Sequence, residues 1–584
     1  MKKNDLYSKE EKLFQDKNKI YSAQSVKQIV YSTDVRDFGQ VAKSIPCQDA
    51  CPAKTNIPGY IRAVFEKRHG RAYELNRSAN ILPGVLGHIC SRPCESACRH
   101  GEPDNGVSVG ICHLKRSCSD LKSGSHRIIE GLYAPTEKKV AVIGSGPAGL
   151  AAAHDLSILG HKVVIFEGLE KPGGMLMYGI PEFRLPRDLL MLEIKNILRL
   201  GIQLKTNKAI GVDISLDLLK NEYDAVVVAT GCVSPRKLNI AGEDLKNIYN
   251  GLDFMKAVNE GQKPLVGDKV IVIGAGFTAV DCARSAIRLG ASDVSINIRK
   301  TIEYMRIDET EKYEAQFEGI KTVSLIQPSK IIGNGNKVIA VEFQRTRMEK
   351  TDTPPYRVSI PIENSQFLVP TDSVIAALGQ TPDEAVVSKD LDGLDGVFAA
   401  GDFATGSSDV ISAIAGGRKS ARAIDEYLIG EKRKQTVVRL ENHETTDRQR
   451  SYDFIGKVEM NTIDMEERLS KATNEVETGY NDDQAHEEAK RCYLCNLEYE
   501  IDPLICIYCS ACIDVAPKDC IKMIESVPVN SDGTYGIYEE TDDWNNVVSI
   551  AIDNARCIRC GQCLAVCPMD CISVTKTELI EIDT

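Results

Sequence analysis

The chain has 584 residues and a net charge of −12, with no basic tract beyond a short lysine-rich start, which argues against nucleic acid as a partner. Its apolar runs are broken by Gly and Ser, and the N-terminal MKKNDLYSKEEKLFQDKNK lacks the apolar core of a signal peptide, so no membrane insertion and a cytoplasmic location are expected. The 20 cysteines cluster towards the two ends in C-x-x-C and C-x-x-x-C spacings; in a large chain this points to iron–sulfur ligation in a reducing compartment, with zinc ribbons as the competing reading.

Residues 1–40 read as a polar lead-in and 41–135 as a small α-helical domain. The first cysteines are Cys47 and Cys51 in IPCQDACPAKTNIPGYI; Cys90, Cys94 and Cys98 follow in ICSRPCESAC. Helical periodicity over 57–80 brings the two groups together, and thiolates at such spacings hold [4Fe–4S] clusters. These five exceed the ligands of one cluster and fall short of two. One N-terminal cluster is therefore expected, and a second would need Cys112, Cys118 or a non-Cys ligand. Cys112 is the candidate; an ordinary buried thiol is the alternative for both.

KVAVIGSGPAGLAAAHDLSILGHKVVIFEG, residues 139–168, is a strand, a glycine turn, a helix of small residues and a second strand. Gly144, Gly146 and Gly149 carry the G-x-G-x-x-G spacing of a dinucleotide fingerprint, with Pro147 and Ala148 opening the helix onto a pyrophosphate. Glu167 closes the second strand, where a carboxylate accepts from ribose hydroxyls.

These motifs resemble the small (beta) subunit of glutamate synthase and its relatives, which include the N-terminal half of dihydropyrimidine dehydrogenase and the large subunit of the bifurcating NADH-dependent ferredoxin:NADP oxidoreductase. The family pattern places a further C-x-x-C before the position of Cys47; this sequence has none there. The next stretch, GGMLMYGIPEFRLP from Gly173, is the most specific match. Gly173 and Gly174 bring backbone N–H groups near a flavin, Gly179-Ile180-Pro181 forms a rigid turn, and Arg184 falls within the same signature. YDAVVVATG then ends at Thr230 and Gly231, where such flavoproteins cross to a second nucleotide domain, and 236–245 reads as the crossover.

The second fingerprint, KVIVIGAGFTAVDCARSAIRLGASDVSINIRK, has Gly274, Gly276 and Ala279 with Phe277 and Thr278 at the helix start. Its second strand leads to Arg299-Lys300 where an acid would favour NAD; two cations suit a 2′-phosphate, so NADP(H) is favoured over NAD(H). A solvated charge pair is the alternative. Arg306 assists by resemblance. The chain returns to the flavin domain near Asp372, and Gly401-Asp402 resembles the family's contact with the flavin ribityl-phosphate chain. A plain helix cap is the other reading of Asp402.

Residues 431–490 are charged and helix-prone and read as a linker. The last domain carries Cys492-x-x-Cys495, then Cys506, Cys509, Cys512 and Cys520, then Cys557, Cys560, Cys563 and Cys567-Pro568. In this bacterial ferredoxin motif the fourth Cys serves the opposite cluster, so Cys506, Cys509, Cys512 and Cys567 form one set. Cys557, Cys560 and Cys563 hold three corners of the other. Ala516 stands where the fourth would be; Cys520 is the substitute, with Cys492, Cys495 and Cys571 as rivals.

The expected architecture is multidomain α/β: a helical Fe–S domain (41–135), a discontinuous Rossmann-like FAD domain (136–250 and 370–430), an inserted Rossmann-like NAD(P)H domain (251–369) and an α+β ferredoxin-like domain with two [4Fe–4S] clusters (491–584). The expected activity is electron transfer between NAD(P)H and ferredoxin or a catalytic partner subunit through FAD and clusters, with no acid–base side chain required. The alternatives are the small subunit of a glutamate synthase or other anaerobic complex, and a non-catalytic electron-carrier adaptor.

Overall fold

The computed structural model describes residues 44–103, 105–123, 132–351, 353–354, 356–382, 394–444, 447–526, 528 and 539–584. The expected lead-in, 1–40, lies outside the described residues. The middle of the chain holds two five-stranded parallel sheets. In the first, Val397–Ala399, Ala225–Val228, Lys139–Ile143, Lys162–Phe166 and Gln203–Lys205 lie side by side. Only Val397–Ala399 comes from after the insertion. Ala225–Val228 is buried at every position, as the Val-rich centre of a parallel sheet covered on both faces must be.

The second sheet orders Ile248–Asn250, Ser373–Ala376, Lys269–Ile273, Asp293–Asn297 and Lys321–Val323. This moves both edges of the inserted domain. Ser373–Ala376, expected in the FAD domain, pairs with Lys269–Ile273 instead, and Ile248–Asn250 pairs on its other side. The chain crosses between the halves where Ser234–Pro235 pairs antiparallel with Gln380–Thr381. An antiparallel sheet of Ile326–Asn334, Lys337–Lys350 and Arg357–Pro370 packs beside the second half.

The N-terminal region is helical. Ile57–Phe65 is capped by the Asn56 side chain, which accepts from Gly59 N at 2.9 Å, and has Pro58 in its first turn. The segment 431–490, expected as a linker, is folded. Lys434–His443 pairs along its whole length with the final strand Ile572–Asp583, which also pairs with Leu497–Ile501. Helix Asp482–Lys490 rests on the N-terminal helices Ile57–Phe65 and Ile111–Asp120. Its Glu488 is fully buried, accepting from Gly110 N at 2.7 Å and Val458 N at 2.8 Å. Composition read the segment as a linker because its charges are numerous; several, among them Arg468 and Glu488, are in fact paired and buried.

Candidate functional site

The first glycine turn is built by close approach. Gly144 has φ of +100°, and a Cβ there would lie 2.5 Å from the Ala229 carbonyl oxygen. A Cβ on Gly149 would fall 2.0 Å from the Gly144 carbonyl, so helix Pro147–Ile158 sits directly on the turn. Gly146 differs: nothing lies within 4 Å of its Cβ position. The second turn repeats the scheme. A Cβ on Gly274 would meet the Ala377 carbonyl at 2.3 Å, and Gly276 again faces open space. Ala279 is fully buried, so its methyl is accommodated.

A cavity of about 570 Å³ runs between the halves. Gly144, Gly146, Pro147, Ala148, Glu167, Gly174, Thr230, Gly231 and Asp402 line it from the first half, Phe277 and Thr278 from the second, with Arg184 between. Gly149, Gly173, Gly274, Gly276, Ala279 and Gly401 do not line it. Gly173 stands behind the first turn, donating its N–H to the Ser145 carbonyl at 3.2 Å. Glu167 accepts from Ser145 N at 3.0 Å, Ser145 Oγ at 2.5 Å and Leu169 N at 2.9 Å, which holds its carboxylate at the cavity wall. Asp402 opens the short helix Asp402–Thr405 and accepts from Ser408 Oγ at 2.5 Å; burial raises its pKa. Helix Val410–Ile429 starts at the cavity, where Asp409 accepts from Ser412 N and from the Ser91 hydroxyl. Ile89 and Ser91, on either side of Cys90 in the chain, also line the cavity.

Arg299 and Arg306 are exposed, and neither they nor Lys300 has an acidic partner among the described residues. Arg306 N donates to Ala275 O at 2.8 Å, which lays its loop along the second glycine turn. Lys300 Nζ stands 5.0 Å from the Tyr304 ring centroid. All three lie outside the cavity lining.

The sequence reading missed the ion-pair bridge across the halves. Arg184 Nη1 meets Asp281 Oδ1 at 2.8 Å, and Nη2 meets Glu311 Oε1 at 2.5 Å. Burial raises Asp281 to about 6 against the pull of the guanidinium. No local spacing links these positions, so no sequence signal marked them.

The cysteines fall into four groups. Cys51, Cys90, Cys94 and Cys112 surround the buried Lys115 and hold its ammonium pKa up against burial. Cys118 stands apart, donating to Leu114 O at 3.0 Å within its own helix. Cys47 and Cys98 line a small apolar cavity with Cys492 and Cys495. Those last two, expected as rivals for the ferredoxin-like region's missing ligand, are therefore turned to the N-terminal domain. Cys506, Cys509, Cys512 and Cys567 line another small cavity, joined by Cys571. Cys567 and Cys571 sulfurs are 3.4 Å apart. Cys520 neighbours Cys557 and Cys563. Ala516-Pro517-x-x-Cys520 thus answers Cys567-Pro568-x-x-Cys571 in the internal repeat, and the thiol that ends each segment, Cys520 or Cys571, neighbours the opposite run.

Among the described residues no three Cys, His, Asp or Glu side chains converge closely enough to hold a single metal ion. Thiols spread around a small cavity are the arrangement that a four-iron cluster asks of its ligands. No helix among the described residues is long and apolar enough to cross a membrane.

Three family models match: pyridine nucleotide-disulphide oxidoreductase over residues 138–417, dihydropyrimidine dehydrogenase domain II, 4Fe-4S cluster, over 40–126, and 4Fe-4S dicluster domain over 505–571. The NADPH-Fe(3+) oxidoreductase subunit beta of Geobacter sulfurreducens is 32% identical over 80% of this chain and 78% of its own length. The glutamate synthase [NADPH] small chain of Escherichia coli is 34% identical over 65% of this chain and 88% of its own. The NADP(+)-dependent formate dehydrogenase subunit beta of Moorella thermoacetica is 34% identical over 66% of this chain, which spans only 60% of that relative.

Proposed function

Because the chain belongs to the family of the NADPH-Fe(3+) oxidoreductase beta subunits and the glutamate synthase small chains, we propose that it is an NADPH-dependent FAD and iron–sulfur oxidoreductase exchanging electrons with a partner subunit or a ferredoxin. The observation that carries this is the single cavity onto which the first glycine turn and the start of the second fingerprint helix open. A dinucleotide held on Gly144–Gly149 and one held on Gly274–Ala279 would reach that space from opposite sides.

The residues present fit the groups. Gly146 and Gly276 leave open the space that a Cβ would occupy beside a pyrophosphate, and each begins a helix whose N–H groups favour an anion. Glu167 and Asp402 would take the FAD ribose and ribityl chain. Arg299 and Arg306, exposed, and half-buried Lys300, all without an acidic partner among the described residues, would take the 2′-phosphate of NADP(H). When bound, FAD supplies a hydride acceptor and the clusters supply one-electron carriers. The chain's part is to orient the two dinucleotides and exclude water between them. Cys506, Cys509, Cys512 and Cys567, and Cys557, Cys560, Cys563 and Cys520, would hold the two C-terminal clusters. Cys509 is exposed, and Leu504, Ile505, Ile507 and Met569 near its cavity are exposed apolar residues suited to a docking partner. A cytoplasmic location, where thiols stay reduced, is part of the proposal.

Anaerobic mixing with NADPH and separately with NADH, with and without ferredoxin, tests this. Fast bleaching of flavin and cluster absorbance by NADPH and onward ferredoxin reduction are expected. Bleaching by NADH alone overturns the nucleotide assignment, and no bleaching by either overturns the enzyme reading. Glutamine- and 2-oxoglutarate-dependent NADPH oxidation with an added large subunit would move the chain to the glutamate synthase role.

A further inference from the structure

Cys492 and Cys495 belong to neither the fingerprint halves nor the repeat of 506–520 and 557–571, yet their loop repeats the turn of that repeat's C-x-x-C runs. In the ferredoxin-like runs, Tyr508 N donates to Cys506 Sγ and Arg559 N to Cys557 Sγ, each at 3.4 Å, and both donors have φ of +57°. Leu494 N donates to Cys492 Sγ at 3.5 Å with φ of +52°. A non-glycine residue in that region is strained and persists where the surroundings demand it. Three loops thus share one turn, which aims a backbone N–H at the first sulfur of a C-x-x-C pair. Hydrogen bonds of this kind to a ligating sulfur tune a cluster.

The loop is held where it is. Arg491, fully buried, pairs with Glu488 at 2.6 Å and donates to the carbonyls of Ser108, at 3.2 Å, and Val107, just beyond Cys98. On the other side Arg448 donates to Cys492 O at 3.1 Å and to Ile558 O at 2.8 Å, inside the run at 557–563. The cavity beyond is lined by Cys47, Cys98, Cys492 and Cys495 with Ile57, Ile61 and Val109. Each of these thiols is buried or half-buried.

We propose that Cys47, Cys98, Cys492 and Cys495 together hold one [4Fe–4S] cluster, its ligands drawn half from the N-terminal domain and half from the segment before the ferredoxin-like domain. It rests on the electron-transfer reading above and deepens it. Cys94 of the Cys51, Cys90 and Cys94 group neighbours Cys47 on one side of the site, and on the other Arg448 ties the Cys492 loop to the Cys557, Cys560 and Cys563 run.

Iron and acid-labile sulfide per flavin, measured on the full chain purified anaerobically, test it. The Cys492→Ser/Cys495→Ser variant and the Cys47→Ser/Cys98→Ser variant should each lose about four irons per flavin, and the quadruple variant no more than either. Unchanged iron in the Cys492→Ser/Cys495→Ser variant, or additive losses in the quadruple one, overturns the shared site. Flavin content reports whether a variant folds. Should one not fold, thiol alkylation of the unaltered protein during iron chelation decides: the four cysteines should become labelled in one phase, and labelling of Cys492 in a phase separate from Cys47 overturns the proposal. None of these readings depends on NADPH, so failure of the cluster assignment is distinguishable from failure of the nucleotide reaction.

Discussion

The two dinucleotide halves use the same turn and different helices. Helix Pro147–Ile158 is sandwiched between its sheet and helix Val410–Ile429, and its middle is Leu150, Ala151, Ala152 and Ala153, all fully buried. Helix Phe277–Arg288 faces helix Glu309–Phe317 and carries Arg284 and Arg288 there, paired with Glu311 and Glu318, while its Asp281 pairs with Arg184. Backbone sterics impose the glycine spacing on both; what covers each helix decides whether it is held by apolar packing or by ion pairs. The comparison also separates the strand ends, Glu167 in one half and Arg299-Lys300 in the other, which is where nucleotide choice would reside.

The largest expected effect comes from removing the group that joins the halves. Arg184→Leu leaves buried Asp281 without its paired cation and Glu311 with Arg284 alone, and should lower stability by about 3–5 kcal/mol in chemical denaturation; an unchanged midpoint would mean the halves do not depend on this bridge. Next, Gly146→Val and Gly276→Val should separate the two turns. Both positions have ordinary extended backbone and open Cβ space, so each variant should fold. The first should lose FAD affinity by on the order of 100-fold, about 3 kcal/mol, and the second should keep FAD while NADPH no longer bleaches it at ordinary concentrations. Retention of FAD by Gly146→Val, checked by flavin released on denaturation, would break the assignment of the halves.

Smaller is the effect at the second strand end. Arg299→Ala and Lys300→Ala should each raise KM for NADPH by about 10–100-fold, the worth of a charge-assisted hydrogen bond, and leave NADH kinetics unchanged; equal loss with both nucleotides would make them general anchors. The smallest is a pH effect on the charged helix. Against burial, Arg288 and Arg284 hold Glu318 down at about 2. A depressed carboxylate adds stability that is present above its unfolded pKa and lost as pH falls through the folded one. Glu318→Gln should therefore cost on the order of 2 kcal/mol near neutrality, and the gap from the unaltered protein in thermal melts should close below pH about 4.5.

Much of this was legible in the chain. Val140, Gly144, Gly146 and Gly149 lie within one strand–turn–helix, so their spacing reports the turn without help from elsewhere. The same holds for Cys557, Cys560 and Cys563. The inserted domain's edges were read too narrowly, because Ser373–Ala376 is as apolar as a strand of either sheet and only pairing tells which. The segment 431–490 read as a linker because a count of charges does not say that Arg468 and Glu314 meet at 2.5 Å in the interior.

The sequence by itself determined the two glycine turns, the C-x-x-C loops and the order of the domains, since sterics and hydrogen bonds over a few residues set them. Only the tertiary structure decided which thiols share a cavity, that Arg184 ties the halves together, and that Cys492 and Cys495 face Cys47 and Cys98. Those meetings depend on how buried surfaces close over one another, here through Glu488 and Arg491, and no spacing along the chain encodes that.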